Sequence, residues 1–191
     1  MTIRIFGVKI AISYFFMTAL LICIANDKSG IFIPLLFSIC LHESSHLLFL
    51  CLFGAEIKEI SLVPGSVGII HTELNTKGEK LISLFAGPLS NLLASTVFYL
   101  FRFDKLFIIN LLLSVLNLLP ARGLDGGSIV YHFFEGKLAE DKINQILKLL
   151  SLTMFFIVAY IFVVLFLNKN LNYSLLLFSL YLLIPFFMKI T

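Results

Sequence analysis

Apolar residues occur along this chain in six long stretches, which short polar segments separate. The stretches are Val8–Ala25, Ile31–Phe53, Leu81–Phe101, Leu106–Ala121, Leu149–Leu167 and Leu171–Met188. A helix needs about 20 mainly apolar residues to cross the roughly 30 Å hydrocarbon core of a bilayer. Each stretch reaches or approaches that length. The pattern therefore predicts an all-α polytopic membrane protein with about six transmembrane helices.

A different pattern follows the second stretch. Gly54 is placed to end the helix as a C-cap glycine. Residues 56–63 then show partial alternation of polar and apolar side chains, Pro64-Gly65-Ser66 signals a turn, and Val67–His71 is a second strand-like run. This arrangement predicts a small β-hairpin between the second and third helices.

Composition agrees with a membrane protein. The 191 residues are 60% hydrophobic and 13% charged, and their mean hydropathy is +1.05. The formal net charge is +3. In a membrane protein such a small basic excess sets orientation, so no nucleic-acid partner is expected. The chain shows no repeat and no composition shift, which predicts a single domain over residues 1–191.

The basic residues predict the orientation of the chain. With both termini inside the cell, six spans place ten of the 14 Lys and Arg residues on the cytoplasmic side. Both termini are therefore predicted to be cytoplasmic. Arg4 and Lys9 before an apolar run are also typical of a signal peptide, but further apolar stretches follow at once, so an uncleaved first helix is expected.

Five polar residues, His42-Glu43-Ser44-Ser45-His46, interrupt the second stretch. Ionisable residues at membrane depth are costly and mark functional sites. Residues four apart on a helix lie on one face, one turn apart. His42 and His46 can therefore bind one Zn²⁺, with Glu43 beside them toward water on the metal. The same five-residue pattern arises by chance in soluble chains, but in lipid a chance match would leave these groups unsatisfied.

A glycine-rich polar segment ends the fourth stretch. Pro120 stops the helix, and the glycines that follow permit a tight backbone around Asp125. Taken alone, Asp125 would be interpreted as the N-cap of a helix from Ser128 onward. With two histidines at a similar depth, a third zinc ligand is the better explanation, because two His and one carboxylate with an open fourth position make a catalytic zinc site.

The third stretch contains Gly87-Pro88-Leu89-Ser90-Asn91. A Gly-Pro pair loosens the hydrogen-bond ladder of a membrane helix, which is tolerated where protein or a cavity satisfies the freed groups. By itself, Asn91 is interpreted as an amide that hydrogen-bonds between helices.

Together the motifs HESSH at 42–46, GPLSN at 87–91 and NLLPARGLDGG at 117–127 resemble those of the site-2 protease family of intramembrane zinc metalloproteases. The likeness is strongest to the short bacterial branch typified by the stage IV sporulation protein FB, which processes a membrane-associated sigma-factor precursor. It covers a catalytic core of about residues 31–130 and, more loosely, the six-span layout.

The resemblance implies that Zn²⁺ is held by His42, His46 and Asp125, and that Glu43 is the catalytic acid and base. It implies a zinc metalloendopeptidase of the cell membrane. The expected substrate is a membrane-tethered protein cut within or near its transmembrane segment, such as a sigma-factor precursor or an anti-sigma factor.

The resemblance also implies that Asn91 and Asn117 position the substrate peptide or its oxyanion. The chain departs from the family at Ser45, where Gly is often found; Ser is small enough to be tolerated. No PDZ or CBS domain is expected, which leaves the regulator and the substrate open, and the sequence does not predict an oligomeric state.

Two other functions are compatible with polar residues inside a membrane. A metal transporter also carries His and Glu in its helices, but its ligands line a path over several spans, and this chain has only four His. A catalytically inactive relative could serve as a binding scaffold, but such proteins usually lose the catalytic glutamate or a ligand, and here Glu43 and all three predicted ligands are present.

Overall fold

The computed structural model describes residues 1–5, 7–63, 66–167 and 182. Within them the chain is mostly helical with a small sheet, and it forms two compact units, Met1–Ser114 and Val115–Thr191. The strands are β1 (Thr2–Ile5), β2 (Val8–Ile12), β3 (Ile57–Val63) and β4 (Ser66–His71). The helices are α1 (Tyr14–Asn26), α2 (Phe32–Leu52), α3 (Lys77–Leu100), α4 (Asp104–Asn117), α5 (Asp125–Phe134) and α6 (Glu140–Leu167).

Three of the described helices are long and apolar enough to cross a membrane. They are Phe32–Leu52, Lys77–Leu100 and Glu140–Leu165. The second, third and fifth predicted stretches are thereby confirmed as candidate spans, whereas a total of six is not. The fourth stretch forms α4, whose 14 residues extend only about 21 Å. The sixth, Leu171–Met188, lies outside the described residues apart from Leu182.

The first predicted span is wrong at its start. Val8–Ile12 is strand β2, and only Tyr14–Asn26 is helical. The 13 residues of α1 extend about 20 Å, less than a bilayer core. A short apolar run rich in β-branched residues fits a buried strand as well as a helix, and here β3 supplies the pairing partner for β2.

The predicted hairpin is confirmed as β3 and β4, which pair antiparallel. It is half of a larger sheet with the order β1-β2-β3-β4, in which β2 runs parallel to β3. Lys9 on β2 and Glu59 on β3 are register partners and form an ion pair of 3.0 Å across the strands. The predicted all-α class is therefore corrected to a helical protein with a four-stranded sheet. The two N-terminal strands pair with a hairpin that is distant in the sequence, and no local pattern shows such pairing.

Residues outside the helix fix the limits of α2. The carboxylate of Asp27 accepts hydrogen bonds from the backbone N–H groups of Ile31 (3.2 Å) and Phe32 (2.9 Å), at the helix start. The pKa of Asp27 is lowered mainly by the hydrogen bond from Phe32 and next by one from the side chain of Ser29. At the other end Gly54 has φ of 77°, as predicted for a C-cap glycine.

Helices α2 and α3 pack against each other through small and polar residues. The buried residues of α2 recur every fourth position: Ser38, His42, His46 and Leu50. Those of α3 are Ser83, Ala86, Gly87, Pro88, Asn91 and Ser95. Small residues let membrane helices approach closely, and their polar groups bond across the interface. This packing brings α3 next to the two histidines.

Candidate metal centre

The two histidines of α2 point the same way. His42 and His46 are one turn apart and buried, with 5% and 8% of their surface exposed. Their Nε2 atoms lie 3.1 Å from each other. The predicted geometry of the H-E-x-x-H pattern is therefore present in the folded chain.

The outer ring nitrogens are held by α3. His46 Nδ1 lies 2.7 Å from the backbone oxygen of Ser83, which can only accept, so Nδ1 of His46 is the donor. His42 Nδ1 lies 3.2 Å from Asn91 Oδ1. The Asn91 amide nitrogen donates to the backbone oxygen of Ser38 at 3.4 Å, which turns its Oδ1 toward His42 and makes that ring a donor too.

This bonding pattern assigns the tautomers. A neutral imidazole that donates through Nδ1 carries its lone pair on Nε2. Two such lone pairs 3.1 Å apart are close enough for one metal ion to accept both. Metal-binding histidines usually donate their other ring N–H to a backbone carbonyl or another oxygen in just this way. The donor set therefore fits a metal ion.

Gly87 keeps the space in front of the histidines open. A Cβ at this position would lie 2.7 Å from Nε2 of His42 and still closer to Nε2 of His46. Any other residue would fill the room next to both Nε2 atoms, where His42 and His46 would hold a shared cation. The GPLSN motif predicts a loosened helix at this point; the steric role of its glycine is visible only in the packed structure.

Glu43 follows His42 on α2 and is half-buried. Successive residues are about 100° apart around a helix, so the side chain of Glu43 is attached next to the face that carries the two histidines. This is the position predicted for a general base beside a shared metal.

Asp125 is the first residue of α5, and the N-cap is Leu124. The alternative of Asp125 as an N-cap is therefore not observed. The turn before it is closed by glycines: a Cβ on Gly126 would collide with the backbone oxygens of residues 118 and 119, and one on Gly127 with that of Ala121. This tight backbone holds the start of α5 against the preceding turn.

Arg122 anchors the same turn to α6. Its backbone N–H donates to Ser151 Oγ at 3.0 Å, and its guanidinium donates to Asn144 Oδ1 at 2.7 Å. Burial lowers the pKa of Arg122. Sequence reasoning missed this residue, because an arginine next to a membrane helix is ordinarily an orientation signal.

Among the described residues, His42, His46 and Asp125 form a group that could hold a metal ion. One ligand atom from each lies within 4.8 Å of the others. The other two histidines have different neighbours: His71 Nδ1 lies 2.6 Å from the backbone oxygen of Thr72, and His132 Nδ1 lies 2.9 Å from Glu135 Oε2.

The two asparagines differ in environment. Asn91 is fully buried behind His42. Asn117 ends α4 and is half-buried.

Two family models and a solved structure match this chain. The peptidase M50B-like family matches residues 10–121, and peptidase family M50 matches residues 101–161. No curated protein matches the sequence significantly. The solved structure of the site-2 protease from Methanocaldococcus jannaschii is similar, with 25% sequence identity and a TM-score of 0.68. The match covers 95% of this chain and 92% of that one.

The M50B-like match covers more than half of the chain, so the protein belongs to the site-2 protease family of M50 metallopeptidases. The resemblance of the three sequence motifs is confirmed. With three candidate spans, the chain is a multi-pass membrane protein of a protease family.

Proposed function

We propose that this protein is a zinc endopeptidase that hydrolyses peptide bonds within or near the transmembrane segment of membrane-tethered proteins. The observation that carries the proposal is the histidine pair: two buried Nε2 lone pairs face each other at 3.1 Å beside the space that Gly87 leaves open. Rings that donate through Nδ1 and present Nε2 are the form in which histidines bind metal ions, and membership of the family supports the activity.

The zinc ligands proposed are His42, His46 and Asp125. The three-residue group described above supports this set. Two His and one carboxylate leave a fourth position for water or substrate, which distinguishes a catalytic zinc site from a structural one. Asp125 contributes through the closed glycine turn at the start of α5, which limits where its carboxylate can reach.

Glu43 is the proposed acid and base. A bound zinc ion supplies Lewis-acid polarisation of the scissile carbonyl and makes water a nucleophile near neutral pH. Glu43 takes a proton from the attacking water as its oxygen bonds to the carbonyl carbon. It then delivers the proton to the amide nitrogen as the C–N bond breaks. The products are a carboxylate and an amine.

Asn117 is proposed to position the substrate peptide or its oxyanion, as the family resemblance implies. For Asn91 the hydrogen bond to His42 supports a role in holding the ligand ring. One N–H of its amide is bonded to Ser38, and the second N–H is the group proposed to position the substrate peptide or its oxyanion, as the family resemblance implies.

Strand β4 is proposed to hold the substrate extended. A transmembrane helix hides its peptide bonds, so the cut segment must unwind, and an extended peptide can add to an exposed sheet edge. In the described sheet β4 is an outer strand, paired on one side with β3. By family resemblance, the substrates considered first are a membrane-bound sigma-factor precursor and an anti-sigma factor.

Glu43→Gln tests the proposal. It should retain zinc and lose cleavage of a membrane-tethered substrate by at least about 100-fold, the usual contribution of a general acid–base. Asp125→Ala, the matched ligand variant, should lose zinc as well. Zinc content and substrate cleavage are measured in purified protein in liposomes. Undiminished cleavage by Glu43→Gln would overturn the mechanism, and metal flux into the liposomes that survives this change would favour a transporter.

A further inference from the structure

A chain of buried polar side chains continues behind His42 in the unit Met1–Ser114. It runs from His42 on α2 to Asn91 on α3, back to Ser38 on α2, and on to Asn110 on α4. Ser38, Asn91 and Asn110 each have 0% of their surface exposed. Three helices are thus joined by hydrogen bonds at the depth of the metal site.

The bonds are short at the far end of this chain. Asn110 Nδ2 donates to Ser38 Oγ at 2.8 Å, and Ser38 Oγ donates to the backbone oxygen of Pro34 at 2.8 Å. Ser38 has its rotamer fixed from both sides. Its own backbone oxygen receives the longer 3.4 Å bond from Asn91, the residue that accepts from His42. Ser38 and His42 are also one turn apart on the same face of α2.

The side-chain oxygen of Asn110 is an unsatisfied hydrogen-bond acceptor. Its amide nitrogen makes two bonds, to Ser38 Oγ and to the backbone oxygen of Leu106, each of 2.8 Å. Its Oδ1 is buried, and no described residue donates to it. A buried acceptor without a donor destabilises a protein, and such a group requires an explanation. A leucine of similar size would avoid this penalty, at the cost of the bond to Ser38 and the bond to Leu106 within the same helix.

We propose that Asn110 is a positioning residue for the metal ligand His42, acting through Ser38 and Asn91. The inference rests on the proposed function, in which His42 binds zinc. Asn110 holds the side chain of Ser38, and thereby the α2 turn to which Asn91 is bonded. Asn91 in turn keeps the His42 ring in the tautomer and orientation that presents the Nε2 lone pair to the metal.

The test compares Asn110→Leu with the wild-type protein by zinc affinity, the visible spectrum of the Co²⁺-loaded protein, and thermal unfolding without metal. We expect zinc binding to weaken roughly tenfold, the lower end of the range for groups that orient metal ligands, and the cobalt spectrum to shift. The unfolding temperature should be unchanged or higher, since the unsatisfied acceptor is gone. A merely structural amide would give the opposite result: lower stability and unchanged zinc affinity.

Ser38→Ala removes one oxygen from the middle of the chain and should weaken zinc binding similarly. In the double variant, the two losses should not add, because both act through the same bond. Ser114→Ala is the matched control. Ser114 lies on α4 one turn beyond Asn110, has 1% of its surface exposed, and takes no part in this chain of hydrogen bonds. It should retain wild-type affinity and spectrum.

The outcomes separate the inference from the function on which it rests. Failure of the wild-type protein to bind zinc, or undiminished zinc binding by His42→Ala, would overturn the proposed function. If the wild type binds zinc, and Asn110→Leu and Ser38→Ala show the same zinc affinity and cobalt spectrum as the wild type, only the positioning role is overturned. If Asn110→Leu does not fold, the Ser38→Ala result decides.

Discussion

At the scale of single residues, the candidate metal centre depends on the tautomers of His42 and His46. Each ring donates through Nδ1 to α3, so both Nε2 lone pairs face inward. This arrangement is the one in which histidines bind a metal ion. Gly87 contributes by having no side chain, because the room beside the nitrogens is the position that its Cβ would take.

Gly87→Ala should therefore abolish zinc retention and cleavage. In a helix interior the same change ordinarily stabilises by about 0.5–1 kcal/mol, so loss of zinc without unfolding would identify the clash as the cause. Gly78→Ala is the control in the same helix, since its Cβ would meet only Thr76 Oγ1 at 3.9 Å. Zinc content and unfolding temperature are measured for both, and normal zinc content in Gly87→Ala would contradict the assigned geometry.

At the scale of elements, α2 is bounded by groups that a hydropathy pattern does not show. Asp27 lies four residues before the N-cap, Ile31, yet its carboxylate satisfies the first backbone donors of the helix. Helix α3 begins with a capping box, in which Thr76 and Glu79 bond reciprocally to each other's backbone N–H. These caps satisfy the first backbone donors of the two helices that carry His42 and Gly87.

The cap at Asp27 predicts a pH dependence. Its pKa is lowered in the folded protein, so the carboxylate stabilises the fold above its ordinary pKa of about 3.9, and this contribution is lost as the pH falls through the lower folded value. Asp27→Asn should unfold at a lower temperature than the wild type at pH 7, and the difference should shrink below about pH 4. If the two proteins differ in unfolding temperature by the same amount at pH 7 and below about pH 4, the charge of the Asp27 carboxylate is not the source of the difference.

The sheet has two outer strands, which allows a matched comparison. Deletion of β4 (Ser66–His71) should abolish substrate cleavage and leave zinc content unchanged, because β4 is the proposed docking edge and supplies no ligand. Deletion of β1 (Thr2–Ile5), the opposite edge, should preserve cleavage. Cleavage and zinc are assayed in the same preparations, and full activity after loss of β4 would refute the docking role.

At the scale of the whole molecule, the chain is a multi-pass membrane protein with three candidate spans among its described residues. Apolar side chains cover their outer surfaces, and the polar side chains of α2 and α3 face inward. Because the membrane supplies no hydrogen-bonding partner, the inward polar groups bond to one another. The same property makes a metal site possible at this depth.

Orientation is the prediction that belongs to this scale. The distribution of Lys and Arg predicts cytoplasmic N- and C-termini. A reporter that is active only in the cytoplasm, fused separately to each end, should give a signal in both fusions, while one active only outside should give none. Opposite signals from the two ends would require an odd number of spans.

The sequence alone predicted the family, which is confirmed, and the candidate residues of the site. His42, Glu43, His46 and Asp125 stand out because charge within an apolar stretch is costly in any fold, and a spacing of four on a helix already places two imidazoles on one face. Helices α2, α3 and α6 were predictable because long apolar runs leave few alternatives.

Only the tertiary structure decided how these pieces are used. The pairing of Val8–Ile12 with Ile57–Val63 joins distant segments, so a local pattern interprets the first run as helix. The space that Gly87 leaves beside both Nε2 atoms likewise arises from helix packing, as do the bonds from Asn91 and Asn110 to α2. Packing brings together residues far apart in the chain, and their separate patterns carry no record of that contact.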